Sequence, residues 1–130
     1  MLNIKYYEIP YKPRGRDFDG CDCWGFALLF LKEEAGIKVM DYAYADDPLK
    51  IDVGVYENLA LEFAQIDETA LKRFDLLLLH DNSQSPNHIG VALDDRQFIH
   101  CMLGRGVAVS KISTWKKNIM GVYRYTGDKK

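Results

Sequence analysis

Gly20-Cys21-Asp22-Cys23-Trp24-Gly25-Phe26-Ala27-Leu28-Leu29-Phe30-Leu31-Lys32-Glu33-Glu34-Ala35-Gly36 is the stretch on which the fold turns. From Phe26 to Ala35 it is hydrophobic almost all round, with Lys32, Glu33 and Glu34 confined to the far end. A helix that is apolar on every side has to be buried, so this segment predicts a buried helix. Gly36 follows as the residue able to take left-handed backbone and end it. Asp22 and Gly20 suit a turn or cap ahead of the helix, and Cys23 lies at its start. Unpaired N–H groups and the helix dipole favour a thiolate there, so the placement predicts a Cys23 thiol of lowered pKa.

Outward from this segment the texture changes twice. Tyr6 to Asp19 is rich in Tyr, Pro, Gly and Arg and reads as an irregular ordered loop. Beyond the helix, Tyr56, Leu59, Ala60 and Phe63 recur at i, i+3, i+4 and i+7, which predicts a second helix over Val53 to Gln65. From Phe74 onward the chain reads as short strands divided by turn residues. Asp75 to His80 is a continuous apolar run, and Asp81 to Asn87 a polar loop. His88 to Leu93 and Gln97 to Met102 flank Asp94-Asp95 at hairpin spacing, and Gly106 to Ile112 and Met120 to Tyr125 follow. Helices first and about five antiparallel strands after them define an α+β class, read as one domain over residues 1–130.

Composition narrows the function. The chain has 130 residues, 48 % of them hydrophobic, which suffices for one ordinary core. A net charge of -2 with scattered basic residues gives no ground for a nucleic-acid partner. Met1 to Pro10 lacks a basic start and an apolar run, so no secretory signal is expected and synthesis is expected in the cytoplasm. The longest apolar run, Gly25 to Leu31, falls far short of the roughly 20 residues that span a bilayer, so no membrane insertion is expected. An odd count of three cysteines argues against a disulfide framework.

The chemistry concentrates on Cys23 and two histidines. A cysteine nucleophile needs an imidazole beside it and a third group to fix that imidazole. If the hairpin turns at residue 94, His88 and His100 sit directly opposite one another on the same face, within contact distance. His88 shares that face with Gly90 and Ala92, small residues that would leave room for a packed helix. Cys101 reads as well as a small buried apolar residue as anything else; Cys21 reads either as buried beside Cys23 or as a second oxidisable thiol, and His80 receives no role. Cys21, Cys23, His88 and His100 also form a zinc-type donor set. The Cys-x-Cys spacing is tighter than usual and no second knuckle is present, so no metal or cofactor is expected.

These residues resemble the NlpC-type papain-like cysteine peptidases of bacterial cell walls and bacteriophage tails. The landmarks appear in order as Pro10-Tyr11, Asp22-Cys23-Trp24-Gly25, Phe74-Asp75-Leu76, His88-Ile89-Gly90-Val91 and Phe98-Ile99-His100. The resemblance implies a papain-like fold with helices packed on an antiparallel sheet. It implies Cys23 as nucleophile, His88 as general base, His100 as the residue orienting His88, and Tyr11 as an oxyanion donor. It also implies a peptidoglycan stem peptide as substrate, cut between D-γ-glutamate and a diamino acid, with Asp22 helping to hold its free amine. Two positions depart from the commonest pattern. Trp24 stands where Ser is usual and would sit at the cleft, bearing on which stem peptide fits; Phe74 stands where Gly usually precedes the Asp. Asp-Cys-Trp-Gly with Gly-Val-Tyr-Arg-Tyr near the end is similar to the phage and prophage tail branch, which implies tail proteins as partners and the virion tail as a location. A tail-assembly protein that keeps the fold without the activity, and an amidase or acyltransferase on the same fold, are the alternatives.

Overall fold

The computed structural model describes residues 2–41, 61–80 and 88–127. The buried segment is a 13-residue helix, α1 (Cys23–Ala35), which starts three residues earlier than its hydrophobic run. Asp22 is its N-cap and Gly36, at φ 65°, its left-handed C-cap; the Gly36 N–H donates to the Lys32 carbonyl and the Ile37 N–H to the Leu31 carbonyl. Trp24, Phe26, Ala27, Leu29, Phe30 and Leu31 are all buried along it. Burying a large apolar side chain gains about 1.5–3 kcal/mol, so these residues alone fix α1 in the core.

Ahead of α1, the segment read as irregular contains a 3-10 turn, Ile4–Glu8, and the strand β1 (Arg16–Asp17). β1 pairs antiparallel with β2 (Gly20–Cys21). Beyond α1 lie β3 (Phe63–Ile66), β4 (Leu76–Leu79), β5 (His88–Ala92), β6 (Gln97–Met102), β7 (Gly106–Lys111) and β8 (Ile119–Tyr125). They form one antiparallel sheet in the order β3-β8-β4-β5-β6-β7. The α+β reading holds, with six strands in the sheet rather than about five. The extra strand comes from the predicted second helix: Phe63, Ala64 and Gln65 pair with β8. Residues 53–60 of that prediction lie outside the described residues.

The sheet carries different material on its two faces. β4 is Leu throughout and buried on both, as a central strand must be. Leu76, Leu78, Ile89, Val91, Ile99 and Cys101 face α1. Leu77, Leu79, Ala92, Phe98 and Val122 face the other way, against Ile112 and Trp115 of a helical turn, Ile112–Trp115. Among the described residues, no helix is long and apolar enough to cross a membrane.

The hairpin register corrects one expectation. Val91 faces Ile99 and Ala92 faces Phe98, so the β5–β6 turn centres on Asp95 rather than residue 94. Continued one step, that register sets His100 across from Gly90 and diagonal to His88. The small residues Gly90 and Ala92 also do not make room for α1, which packs on the opposite face. Their space takes Phe98 instead: a Cβ on Gly90 would stand 2.5 Å from the Phe98 ring.

Candidate active site

Cys23 is the first residue of α1, and its setting is built by the cap before it. Asp22 Oδ1 accepts the Gly25 N–H at 2.7 Å, and Oδ2 accepts the Arg14 N–H at 3.0 Å. The Arg14–Arg16 segment thereby folds over the start of α1, so closely that a Cβ on Gly25 would lie 1.9 Å from the Gly15 carbonyl oxygen. Glycine after Trp24 is therefore a steric requirement. Arg16 reaches Asp22 Oδ1 at 3.2 Å and binds Asp41 through Nε at 2.8 Å and Nη2 at 3.2 Å. Asp22 is 4 % exposed, its carboxylate bonded within the loop and the cap.

Trp24 does not sit at the cleft as expected. It is 1 % exposed, packed in the α1 core, and donates its indole N–H to Asp41 Oδ1 at 3.3 Å. Through Asp41, which is largely exposed, and Arg16 it is linked to Asp22.

The Cys23 thiol lies 6 % exposed against the start of β5. The backbone N–H groups of Ile89, Trp24 and Cys23 itself favour its thiolate. They do not prevail. Burial, followed by the Asp22 charge, pushes the thiol up to about 12, so the helix start alone does not make the thiolate and the lowered pKa expected for it is not met. Attack by this sulfur requires a base.

The imidazoles stand at the same strand end. Ile89 meets the thiol with its backbone N–H, and His88 is the residue before it, its side chain on the sheet face opposite α1. His88 Nε2 and His100 Nδ1 are 2.7 Å apart, within hydrogen-bond distance, and the rings meet edge to face at 5.0 Å. The diagonal placement across the hairpin is still within reach of two long planar side chains. His100 is fully buried, and its other nitrogen, Nε2, lies 2.8 Å from Ser110 Oγ on β7. Burial first, then the charges of His88 and Arg105, hold its pKa down to about 3, so His100 is neutral near pH 7. The Trp115 ring stacks on His88 at 5.9 Å and stands edge-on to His100 at 5.4 Å, and Phe98 closes the other side of His100 at 4.5 Å. The structure thus brings His88 and His100 into direct contact and sets Cys23 against the backbone of the residue next to His88.

Tyr11 is half-buried and bridges to Cys21, two residues before Cys23; Cys21 N–H donates to Pro10 O and Lys12 N–H to Cys21 O. Cys21 and Cys101 are buried free thiols, both pushed up to about 12 chiefly by desolvation. Each donates to a carbonyl, Cys21 to Asp17 and Cys101 to Cys21. Among the described residues no group of three or more His, Cys, Asp or Glu is arranged to hold a metal ion. Ser110 and Trp115 are not among the residues the sequence singles out. Ser110 was within reach of register arithmetic, since it shares the His100 face of the β6–β7 hairpin. Trp115 follows no period and carried no signal.

The fold and these residues define a papain-like α+β protein with a cysteine at a helix start and paired histidines on the sheet. A model of the NlpC/P60 family matches residues 8–124, and the chain belongs to that family. It is 23 % identical over 129 residues to the tail tip assembly protein K of Escherichia phage N15, covering 91 % of this chain and 50 % of that protein. It is equally 23 % identical, over 111 residues, to the murein DD-endopeptidase MepS/murein LD-carboxypeptidase of Escherichia coli K12, covering 84 % of this chain and 52 % of that protein. The chain thus spans about half the length of these curated relatives. Among solved structures it is similar to the NlpC/P60 domain of the peptidoglycan hydrolase SagA, with TM-score 0.64 and 21 % identity over 92 % of this chain and 90 % of that one. It is also similar to an NLP/P60 family protein of Staphylococcus aureus, with TM-score 0.66 and 21 % identity over 94 % of this chain and 38 % of that one.

Proposed function

We propose that this domain is a cysteine endopeptidase that cleaves peptidoglycan stem peptides between D-γ-glutamate and a diamino acid. The observation that carries this reading is the His88–His100 pair, joined at 2.7 Å, beside the strand residue whose N–H holds the Cys23 thiol. With Nε2 turned to His100, His88 has Nδ1 as the nitrogen for the thiol proton. Because the thiol is held protonated, His88 removes its proton as the sulfur attacks the amide carbonyl. The resulting oxyanion is taken by the Cys23 backbone N–H and by Tyr11. His88 returns the proton to the leaving amine, and water then releases the acyl group from Cys23. Asp22 acts on the substrate amine as a fixed negative charge beneath the loop, while Trp24 selects the stem peptide indirectly, through Asp41 and Arg16. No metal or cofactor enters this scheme.

The test is release of free amine from purified peptidoglycan and from L-Ala-γ-D-Glu-diamino acid peptides, with Cys23→Ala alongside. Cleavage by the wild type and none by the variant is expected, and equal activity in the two overturns the scheme. Tyr11→Phe is expected to lower turnover about a hundredfold, the measured worth of one oxyanion donor.

The similarity to a phage tail tip assembly protein favours a setting in the virion tail, with tail proteins as partners. It also keeps a second reading, an assembly protein with this fold and no peptidase activity. Iodoacetamide labelling of Cys23 separates the two. The enzyme loses labelling rate when His88 is changed to Ala, and the assembly protein labels at the rate of an ordinary buried thiol with or without His88.

A further inference from the structure

We infer that Ser110 is a positioning residue that holds His100 in the one tautomer useful to His88; the inference rests on His88 acting as general base. To take the thiol proton on Nδ1, His88 has to carry its own hydrogen on Nε2, before and after the transfer. That hydrogen points at His100 Nδ1, 2.7 Å away, so Nδ1 of His100 must be an acceptor. A carboxylate or an amide oxygen in place of His100 would be an acceptor by nature. A neutral imidazole is one only if its single hydrogen sits on the other nitrogen.

In the opposite tautomer His100 donates from Nδ1 to His88 Nε2. The hydrogen of His88 is then forced onto Nδ1, the nitrogen the thiol needs, and the base is disabled. The partner of His100 Nε2 is Ser110 Oγ at 2.8 Å; a hydroxyl can accept or donate, and it selects the useful tautomer only with its own hydrogen turned away to solvent, so that Oγ accepts from Nε2–H. His100 is fully exposure-free beneath Phe98 and Trp115, so solvent does not reach Nε2 in place of the hydroxyl. Ser110 lies half-buried on the edge strand β7, where its own O–H can be given to solvent while Oγ accepts from His100.

The chain of bonds runs His88 Nε2–H to His100 Nδ1, then His100 Nε2–H to Ser110 Oγ. The same polarity serves both protonation states of His88, so no bond has to turn over during catalysis. A carboxylate in the place of Ser110 would fix the same tautomer but add a buried charge beside a residue that is neutral in this fold.

The experiment is 15N NMR of the imidazoles in the full chain, in wild type, Ser110→Ala and Ser110→Thr, with kcat and KM measured on the stem peptide. Wild type is expected to show His100 protonated on Nε2 and bare on Nδ1, and His88 protonated on Nε2. Ser110→Ala is expected to divide the His100 hydrogen between the two nitrogens and to lower kcat about tenfold at unchanged KM, the effect of one lost hydrogen bond. Ser110→Thr, which keeps the hydroxyl, restores both. Unchanged tautomers in Ser110→Ala overturn the inference, even if kcat falls, and so does unchanged kcat with altered tautomers. If the wild type cleaves no stem peptide, the peptidase reading fails separately and the imidazole spectra alone decide the role of Ser110.

Discussion

The two faces of the sheet are built from different physics. The face toward α1 is apolar almost throughout: Leu76, Leu78, Ile89, Val91, Ile99 and Cys101 meet Phe26, Phe30 and Leu31, and even its thiols are pushed up toward inertness. The face toward Trp115 places a hydrogen-bonded imidazole pair among Phe98, Ala92 and the Leu side chains of β4. Cys23 belongs to the first face and His88 to the second, and the start of β5 links them: the Ile89 backbone N–H favours the Cys23 thiolate, and His88 is the residue before Ile89. In the proposed scheme the stable face supplies a rigid nucleophile but no means of ionising it, and the polar face supplies the means. Under that scheme, burial that would silence a lone thiol becomes tolerable because His88, the first residue of β5, acts as its base.

Truncating one aromatic on each face should break the symmetry between them. Phe30→Ala, on the α1 face, is expected to cost about 3–5 kcal/mol in urea unfolding while the folded fraction keeps its kcat. Phe98→Ala should cost a similar amount and in addition lower kcat of the folded enzyme, because its ring lies 4.5 Å from His100. Equal kcat in both variants would erase the distinction drawn between the faces.

A smaller effect concerns acid. His100 in the fold stays neutral down to about 3, whereas in the unfolded chain it protonates near its ordinary 6.5. Between those values the unfolded state binds the extra proton, so the contribution of this residue is intact above about 6.5 and is lost as pH falls toward 3. The melting temperature of wild type should therefore drop more steeply over this window than that of His100→Asn. Parallel curves would mean that His100 is not held neutral by the fold.

The smallest effect separates the two duties of Asp22. Asn caps a helix about as well as Asp, so Asp22→Asn should change stability by only a few tenths of a kcal/mol from the cap itself. It removes the charge that helps raise the Cys23 thiol, so the pH midpoint of iodoacetamide labelling should move down. A midpoint that stays or rises would show that the charge of Asp22 does not reach the sulfur.

Much of this was legible from residues whose environment is set locally. The all-round apolar run of α1, Gly36 after it, and the Leu run of β4 each have one stable solution, and the fold adopts it. The helix–strand ambiguity at Phe63–Gln65 was not resolvable by period, because a short apolar recurrence fits both and pairing with β8 decides it. Phe74 was readable only as a departure from glycine. Its φ of 75° supplies the reason, since the chain takes left-handed backbone there, and its ring offsets that strain by packing near Phe30 and under Arg73. The His88–His100 contact was anticipated from an opposed register and is made from a diagonal one. Trp24 at the cleft failed because the residue after a helix-start cysteine can turn into the core as readily as out of it. The thiol electrostatics were out of reach because helix position is visible in sequence and depth of burial is not.

The most direct test of the account is to mix enzyme with stem peptide, quench in acid within one turnover and map the acylated cysteine by mass spectrometry. The account predicts an acyl adduct on Cys23 in the wild type and none in His88→Ala. An adduct on Cys21 or Cys101, or cleavage without any adduct on Cys23, would contradict it.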